Sequence, residues 1–344
     1  MNRPYDLSSY QFDLPEELIA QHPVTPRDSS RLMIVEKKSG KMTEVPFREI
    51  VHLLNQEDRL VFNNTKVIPA RLYGKLSTGG KAEVLLIKEL GQNVWKTFVR
   101  PGKKIKIGSR IYFTQDAFCE VVEVLDEGER VLRFQYPHTS FDQFLEEAGE
   151  LPLPHYIRRD AAKPEDSTRY QTVYASRPGA AAAPTAGLHF TPELFQRLEE
   201  KNVRSSFVTL HIGPGTFKPV LTEDIREHKM HKEEFWVESE AADSINSTSG
   251  RLIAVGTTSC RALEAASLSD GRLVAGHYDT DIFIYPGYEF KKVSHLLTNF
   301  HLPGSSLIML VSSLLGAELT REVYRKAITD KFRFYSYGDA MLIL

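Results

Sequence analysis

Arg251-Leu252-Ile253-Ala254-Val255-Gly256-Thr257-Thr258-Ser259-Cys260-Arg261-Ala262-Leu263-Glu264 is the stretch that decides the fold. The apolar run predicts a strand at Arg251–Val255, the Gly-Thr-Thr-Ser turn breaks it, and Cys260–Ser267 reads as a helix that starts at once. Strand, tight turn and helix in immediate succession form the unit of a mainly parallel sheet covered by helices. The same alternation continues on both sides. A helix is expected after Thr191-Pro192-Glu193, where Thr191 caps and Pro192 suits the first turn. Val203–His211 reads as a strand, Asp281–Tyr285 as another closed by Pro286-Gly287, and Ser305–Leu315 and Thr320–Asp330 as helices. Upstream, a helix at Pro15–Gln21, a strand at Arg31–Glu36, a helix at Phe47–Asn55 and a strand at Arg59–Asn63 fit the same plan.

Between residues 67 and 137 the texture changes. Val67–Lys75, Ala82–Glu89, Val94–Val99, Ser109–Thr114, Phe118–Leu125 and Arg130–Tyr136 are short, partly alternating runs separated by glycine-rich or charged turns. Strands at this spacing with no helical run among them predict a small antiparallel barrel or sandwich. The expected organisation is a discontinuous α/β domain, residues 1–66 and 138–344, carrying an inserted β-barrel at 67–137. A length of 344 residues suits two domains better than one core.

The totals exclude several classes of function. A formal net charge of −2 gives no bulk basic field, so any nucleic-acid surface must be local. The 2 cysteines, Cys119 and Cys260, lie far apart and have neither metal nor redox spacing. The N-terminal segment has no apolar signal region, and Leu307–Ala317 is too short and too serine-rich to span a bilayer. A cytoplasmic, monomeric protein is expected.

In open α/β sheets, ligands bind beyond the carboxyl ends of the strands. Small-residue stretches occupy those positions here: Thr185 and Gly187 within Pro184–Phe190, Gly213, Gly215 and Thr216 within Gly213–Phe217, and Gly256–Ser259. The free N–H groups of Gly256, Thr257, Thr258 and Ser259 at a helix start suit an anion such as a carboxylate, although capping by Ser259 explains one of the hydroxyls. Arg261 either orients that carboxylate or pairs with Glu264 on the helix surface. His189, His211 and His301 sit at loop edges beside apolar or glycine residues. Packing and proton transfer are evenly balanced for them. His228 and His231 would share a helix face, with spacing that does not match known zinc helices. Neither a Gly-x-Gly-x-x-Gly run nor a Walker loop occurs.

Long motifs in order along the chain carry a resemblance. They include Val61-Phe62-Asn63-Asn64-Thr65-Lys66-Val67-Ile68-Pro69-Ala70-Arg71, Arg169–Tyr174, Ala183–Phe190, Phe207–Phe217, Glu227–His231, Gly256–Ser259 with Arg261, Asp281–Phe290, Thr298–Pro303 and Phe334–Leu342. Through them the chain closely resembles the S-adenosylmethionine:tRNA ribosyltransferase-isomerase family, which forms epoxyqueuosine. The sequence departs from the family pattern at His155, Pro214, Cys260 and Gly304. At the last of these a lysine is common, so an anion contact by that lysine does not carry over.

The resemblance implies an α/β domain with an inserted barrel, in agreement with the reading above. It also implies the reaction. The ribosyl part of S-adenosylmethionine moves onto 7-aminomethyl-7-deazaguanine at the tRNA wobble position and rearranges, with loss of adenine and methionine. Such chemistry requires a general base and no metal. His189 and His211 rank first for proton transfer, then His301 and Asp281. Tyr285, Tyr337 and Asp281 suit the sulfonium, and the helix start at Thr257–Ser259 suits the methionine carboxylate. Lys66, Arg71, Arg158, Arg159 and Arg169 are the local cations for the anticodon loop, with the Lys103, Lys104 and Lys106 cluster equally well read as a solvated strand edge. A methyltransferase-like enzyme, a metal-dependent hydrolase and an inert RNA-binding module are the competing classes.

Overall fold

A computed structural model describes residues 4–137, 139–154, 156–157, 165–213 and 219–344. Its larger sheet has nine strands in the order Gly276–Thr280, Glu233–Val237, Arg204–Leu210, Arg59–Asn63, Leu252–Val255, His295–Asn299, Ala340–Ile343, Arg31–Val35 and Met42–Pro46. The central strands Arg204–Leu210, Arg59–Asn63, Leu252–Val255 and His295–Asn299 are mutually parallel. Arg59–Asn63, Leu252–Val255 and Ala340–Ile343 are buried along their whole length, as strands covered on both faces must be.

The alternation of side chains divides the core in two. Val61, Ala254, Leu296 and Met341 pack with helices Thr257–Ala266, Ser306–Leu315 and Ala317–Thr329 on one face. Leu60, Phe62, Ile253, Val255 and Leu297 pack with Phe47, Ile50 and helix Pro192–Glu200 on the other. That last helix starts as its sequence suggests, with Thr191 Oγ1 accepting the Leu194 N–H at 3.1 Å and proline in its first turn.

The smaller sheet runs Gly149–Glu150, Arg71–Leu76, Lys81–Gly91, Val94–Arg100, Glu129–Gln135, Phe118–Val124 and Arg110–Tyr112. Pairing of Lys75 with Tyr112 and Leu76 with Ile111 closes it into a barrel around Val84, Leu86, Val121, Leu132 and Phe134. The fold is therefore a mixed α/β domain with an inserted antiparallel barrel.

Several local expectations change. Pro15–Gln21 forms only a 3-10 turn at Glu16–Leu18, and Phe47–Asn55 shortens to a 3-10 turn followed by Ile50–Leu53. Asp281–Tyr285 is irregular; the paired strand ends just before it, at Thr280, because Glu233–Val237 supplies a partner only for Gly276–Thr280. His228 and His231 stand on an irregular segment rather than a helix, since the chain there runs directly into the strand Glu233–Val237. Lys103 and Lys104 lie in a 3-10 turn and not on a strand edge.

Candidate active site at the carboxyl edge of the sheet

The parallel strands end at Asn63, Leu210, Val255 and Asn299 along one edge. Asn63 ties three of these ends together. Its Oδ1 accepts the Leu210 N–H at 2.9 Å and the Thr65 N–H at 3.2 Å. Its Nδ2 donates to the Leu210 carbonyl at 2.9 Å and to Thr258 Oγ1 at 3.2 Å. Gly256 then turns the chain with φ 90°, a conformation that favours glycine, and the helix ladder opens with Cys260 N–H to the Gly256 carbonyl at 3.1 Å. The N–H groups of Thr257, Thr258 and Ser259 precede that ladder, so the positive end of the helix faces the edge. Ser259 does not cap it: its hydroxyl donates to the Val255 carbonyl at 2.8 Å.

A small cleft of about 50 Å³ lies at this helix start, between Ala183–Ala186 and Thr298–His301, with Tyr335 and Ser336 over it. The structure thus brings together Thr185, Gly256, Thr257, Thr258 and His301. Asn299 adds a buried side-chain amide that neighbours His189, and its Nδ2 donates to the Tyr335 carbonyl at 2.9 Å. Thr298 Oγ1 and His301 Nε2 lie 3.0 Å apart. Burial pushes the His301 pKa down to about 3.

His211 and Gly213 lie next to the cleft, lining a cavity of about 700 Å³ between the barrel and the sheet. His211 Nδ1 is 2.7 Å from Thr65 Oγ1, and its ring stands edge-on to Trp236 with centroids 4.9 Å apart. Its other nitrogen lies over Gly179, where a Cβ would come within 2.5 Å, so only glycine leaves room for the ring. Burial lowers the His211 pKa to about 4, with Glu234 opposing the shift and Arg177 adding to it. Arg177 stacks over Trp236 at 3.9 Å and lines the same cavity.

Other expected site residues line neither the cleft nor this cavity. His189 stacks on Phe47 at 4.8 Å, its Nδ1 lies 2.7 Å from Ser30 Oγ, and the Asn299 side chain is a hydrogen-bonding neighbour that opposes the fall in its pKa. Burial and the charge of Arg333 lower its pKa to about 3. Gly187 opens no ligand space, because a Cβ there would lie 1.8 Å from the Tyr174 hydroxyl. Arg261 pairs not with Glu264 but with Glu233, and its Nε donates to the Ile282 carbonyl at 3.2 Å. Glu264 instead accepts N–H groups from Lys291, Lys292 and Val293 and the Tyr288 hydroxyl, anchoring the loop that follows Asp281–Tyr285. Tyr337 is buried, with its hydroxyl 3.5 Å from Asp166 Oδ1. Asp281 is exposed, and Tyr285 packs edge-on to Tyr5 at 6.3 Å. Gly215 and Thr216, with Pro214, Arg158, Arg159 and His155, lie outside the described residues.

A model of the queuosine biosynthesis protein family matches residues 7–343. The chain belongs to that family. S-adenosylmethionine:tRNA ribosyltransferase-isomerase from Clostridioides difficile (strain 630) is 50% identical, covering 97% of this chain and 98% of its own. The protein of the same name from Symbiobacterium thermophilum is 52% identical, covering 98% of this chain and 99% of its own. The crystal structure of an S-adenosylmethionine tRNA ribosyltransferase from Thermotoga maritima is 38% identical, with a TM-score of 0.55 over 98% of this chain and 100% of that one.

Among the local cations, Lys66 is exposed on the short strand Thr65–Val67. Arg71 is held by Glu83 at 3.2 Å, and Arg169 by Thr25 Oγ1 at 2.9 Å and the Val24 carbonyl. No group of three or more His, Cys, Asp or Glu side chains among the described residues is placed to hold a metal. Nor is any described helix long and apolar enough to cross a membrane. The sequence reading missed Asn63, Trp236 and Arg177. Nothing local marks the contacts of Asn63 with Leu210 and Thr258.

Proposed function

We propose that the protein transfers and isomerises the ribosyl moiety of S-adenosylmethionine onto 7-aminomethyl-7-deazaguanine at the wobble position of a tRNA. Adenine and methionine are released. Membership of the family along residues 7–343 carries this reading of the reaction.

In this reading the methionine carboxylate docks on the N–H groups of Thr257, Thr258 and Ser259, where the helix dipole favours an anion. The cleft of about 50 Å³ is far smaller than the roughly 300–1,000 Å³ of typical ligand pockets. The nucleoside therefore extends past Ile212 and Gly213 toward the 700 Å³ cavity, which also receives the extruded wobble base. His211 is the leading proton acceptor, since it lines that cavity and is held neutral; His301 is the second. His189 acts at one remove, packed behind the cleft wall that carries Asn299. Asp281, Tyr285 and Tyr337 take no direct part in this arrangement. One N–H group of Arg261, its Nη2, is buried without a partner and stays available to an anion.

Lys66, with Arg71 and Arg169 behind it, faces the tRNA in the same proposal, together with Arg158 and Arg159. A cytoplasmic monomer working without a metal fits the reading. In the same proposal the inserted barrel is residues 67–137, with Phe144 packed against it and Gly149–Glu150 paired to Arg71 and Leu72. The deciding experiment incubates the protein with S-adenosylmethionine and tRNA bearing the aminomethyl base. Adenine and methionine should appear in equal amounts, whereas S-adenosylhomocysteine would mean methyl transfer and overturn the proposal.

A further inference from the structure

The parallel strands begin at the sheet edge opposite the cleft, and a cavity of about 940 Å³ opens there beside Arg59, Arg204 and the loop Ser247–Ser249. Arg59 opens a central strand and is only 5% exposed. Its Nε donates to Thr248 Oγ1 at 2.9 Å and its Nη1 to Ser206 Oγ at 2.7 Å. Both acceptors are neutral hydroxyls. The adjacent carboxylate, Asp58, is taken by Arg251 at 2.6 Å.

The register of the parallel strands places Arg204 directly beside Arg59. Among the described residues, neither arginine takes part in an ion pair. Glu57 and Glu199 also line the cavity, but both are exposed and pair with neither. A guanidinium cannot shed its proton in a protein, so a buried one beside a like charge is costly unless an anion compensates it. Burial and Arg204 both act against the charge on Arg59.

We propose that this cavity is a phosphate site, in which Arg59 and Arg204 hold a phosphate group and Ser249 offers a neighbouring hydroxyl. A phosphate has the charge and the oxygens to engage guanidinium groups from two strands at once. Such a group comes either from a free phosphoanion or from the backbone of the tRNA. The site is separate from the carboxyl-edge cleft and does not depend on what that cleft binds.

The test titrates inorganic phosphate into the full chain and into Arg204→Gln, at constant ionic strength set with chloride. Arg204 is exposed, so this variant avoids the folding risk of replacing Arg59. The expected result is saturable thermal stabilisation and 31P line broadening in the wild type, weakened about tenfold or more in the variant, as loss of a charge-assisted contact predicts. No saturable effect, or one equal in both proteins, overturns the proposal. A parallel tRNA titration identifies the source. If the phosphate belongs to tRNA, Arg204→Gln weakens tRNA binding and reduces the slope of log affinity against log salt by about one. If it is a free phosphoanion, tRNA binds both proteins alike while the phosphate difference persists.

Discussion

Arg261 and Glu233 form an ion pair with both side chains almost wholly removed from solvent, 3% and 4% exposed. The pair joins the helix behind the Gly256 turn to the strand Glu233–Val237, and Glu233 also receives the Gly213 N–H at 3.3 Å. Removing one partner strands the other charge in the interior. Glu233→Ala should therefore cost about 3–5 kcal/mol in urea unfolding. Replacing both residues with Leu and Met should recover most of that loss. A single variant as stable as wild type would mean that water reaches the pair.

His211 and His189 should respond differently to replacement. His211→Ala removes the proposed base and should lower kcat at saturating substrates by about 10²–10⁴, with the melting temperature little changed. His189→Ala empties space against Phe47, so its main effect should be on stability. Single-turnover kinetics and thermal melts on the same preparations separate the two. Full turnover by His211→Ala would remove it from the mechanism.

The buried histidines also set a pH dependence. His189 and His301 remain neutral in the fold, with pKa about 3 in each, while the unfolded chain protonates them near about 6.5. Below that value the unfolded state binds more protons, so stability falls with falling pH. Their contribution should be complete above about pH 6.5 and decline progressively toward about pH 3. Urea midpoints measured across this range should fall less steeply in His301→Gln than in wild type.

Gly187 and Tyr174 should show strong coupling. A methyl group on Gly187 would meet the Tyr174 hydroxyl at 1.8 Å, so Gly187→Ala should destabilise by about 1–3 kcal/mol or more. The Tyr174 hydroxyl is buried with Thr172 as its hydrogen-bonding neighbour, so Tyr174→Phe should cost about 1 kcal/mol at most. Combined, the two changes should cost less than the sum of the two alone, because the closest contact is gone while Tyr174 Cζ at 2.8 Å and Thr172 Cγ2 at 3.0 Å remain. A strictly additive double-mutant cycle would contradict this packing.

Much of the architecture was legible because burial and period agreed in the sequence. Arg59–Asn63 and Leu252–Val255 are fully buried strands and read as short apolar runs, and the barrel strands alternate between their turns. The strands Glu233–Val237 and Gly276–Thr280 were hidden because one carries two glutamates and the other a glycine and an aspartate. Glu233–Val237 pairs with Gly276–Thr280 on one side and with Thr209–Leu210 on the other, and these non-local pairings fix both as strands. The site was legible as stretches and not as contacts. Thr257, Thr258 and His301 converge as their motifs suggest, whereas the small residues of Ala180–Gly187 turned out to serve packing as well as the cleft. The partners of Gly179 and Gly187, His211 and Tyr174, come from elsewhere in the chain, and no local pattern announces them.

The strand Ala340–Ile343 lies inside the nine-stranded sheet, between His295–Asn299 and Arg31–Val35. During synthesis, then, the edge formed by Arg31–Val35 and Met42–Pro46 waits for Ala340–Ile343, which is made long after it. The barrel, by contrast, closes through pairings within residues 71–150 and can form while the rest is still being made. Loss of residues 340–344 would leave Leu297 and Leu32 without the strand that separates them, and the larger sheet would stay open between His295–Asn299 and Arg31–Val35. The barrel would be spared.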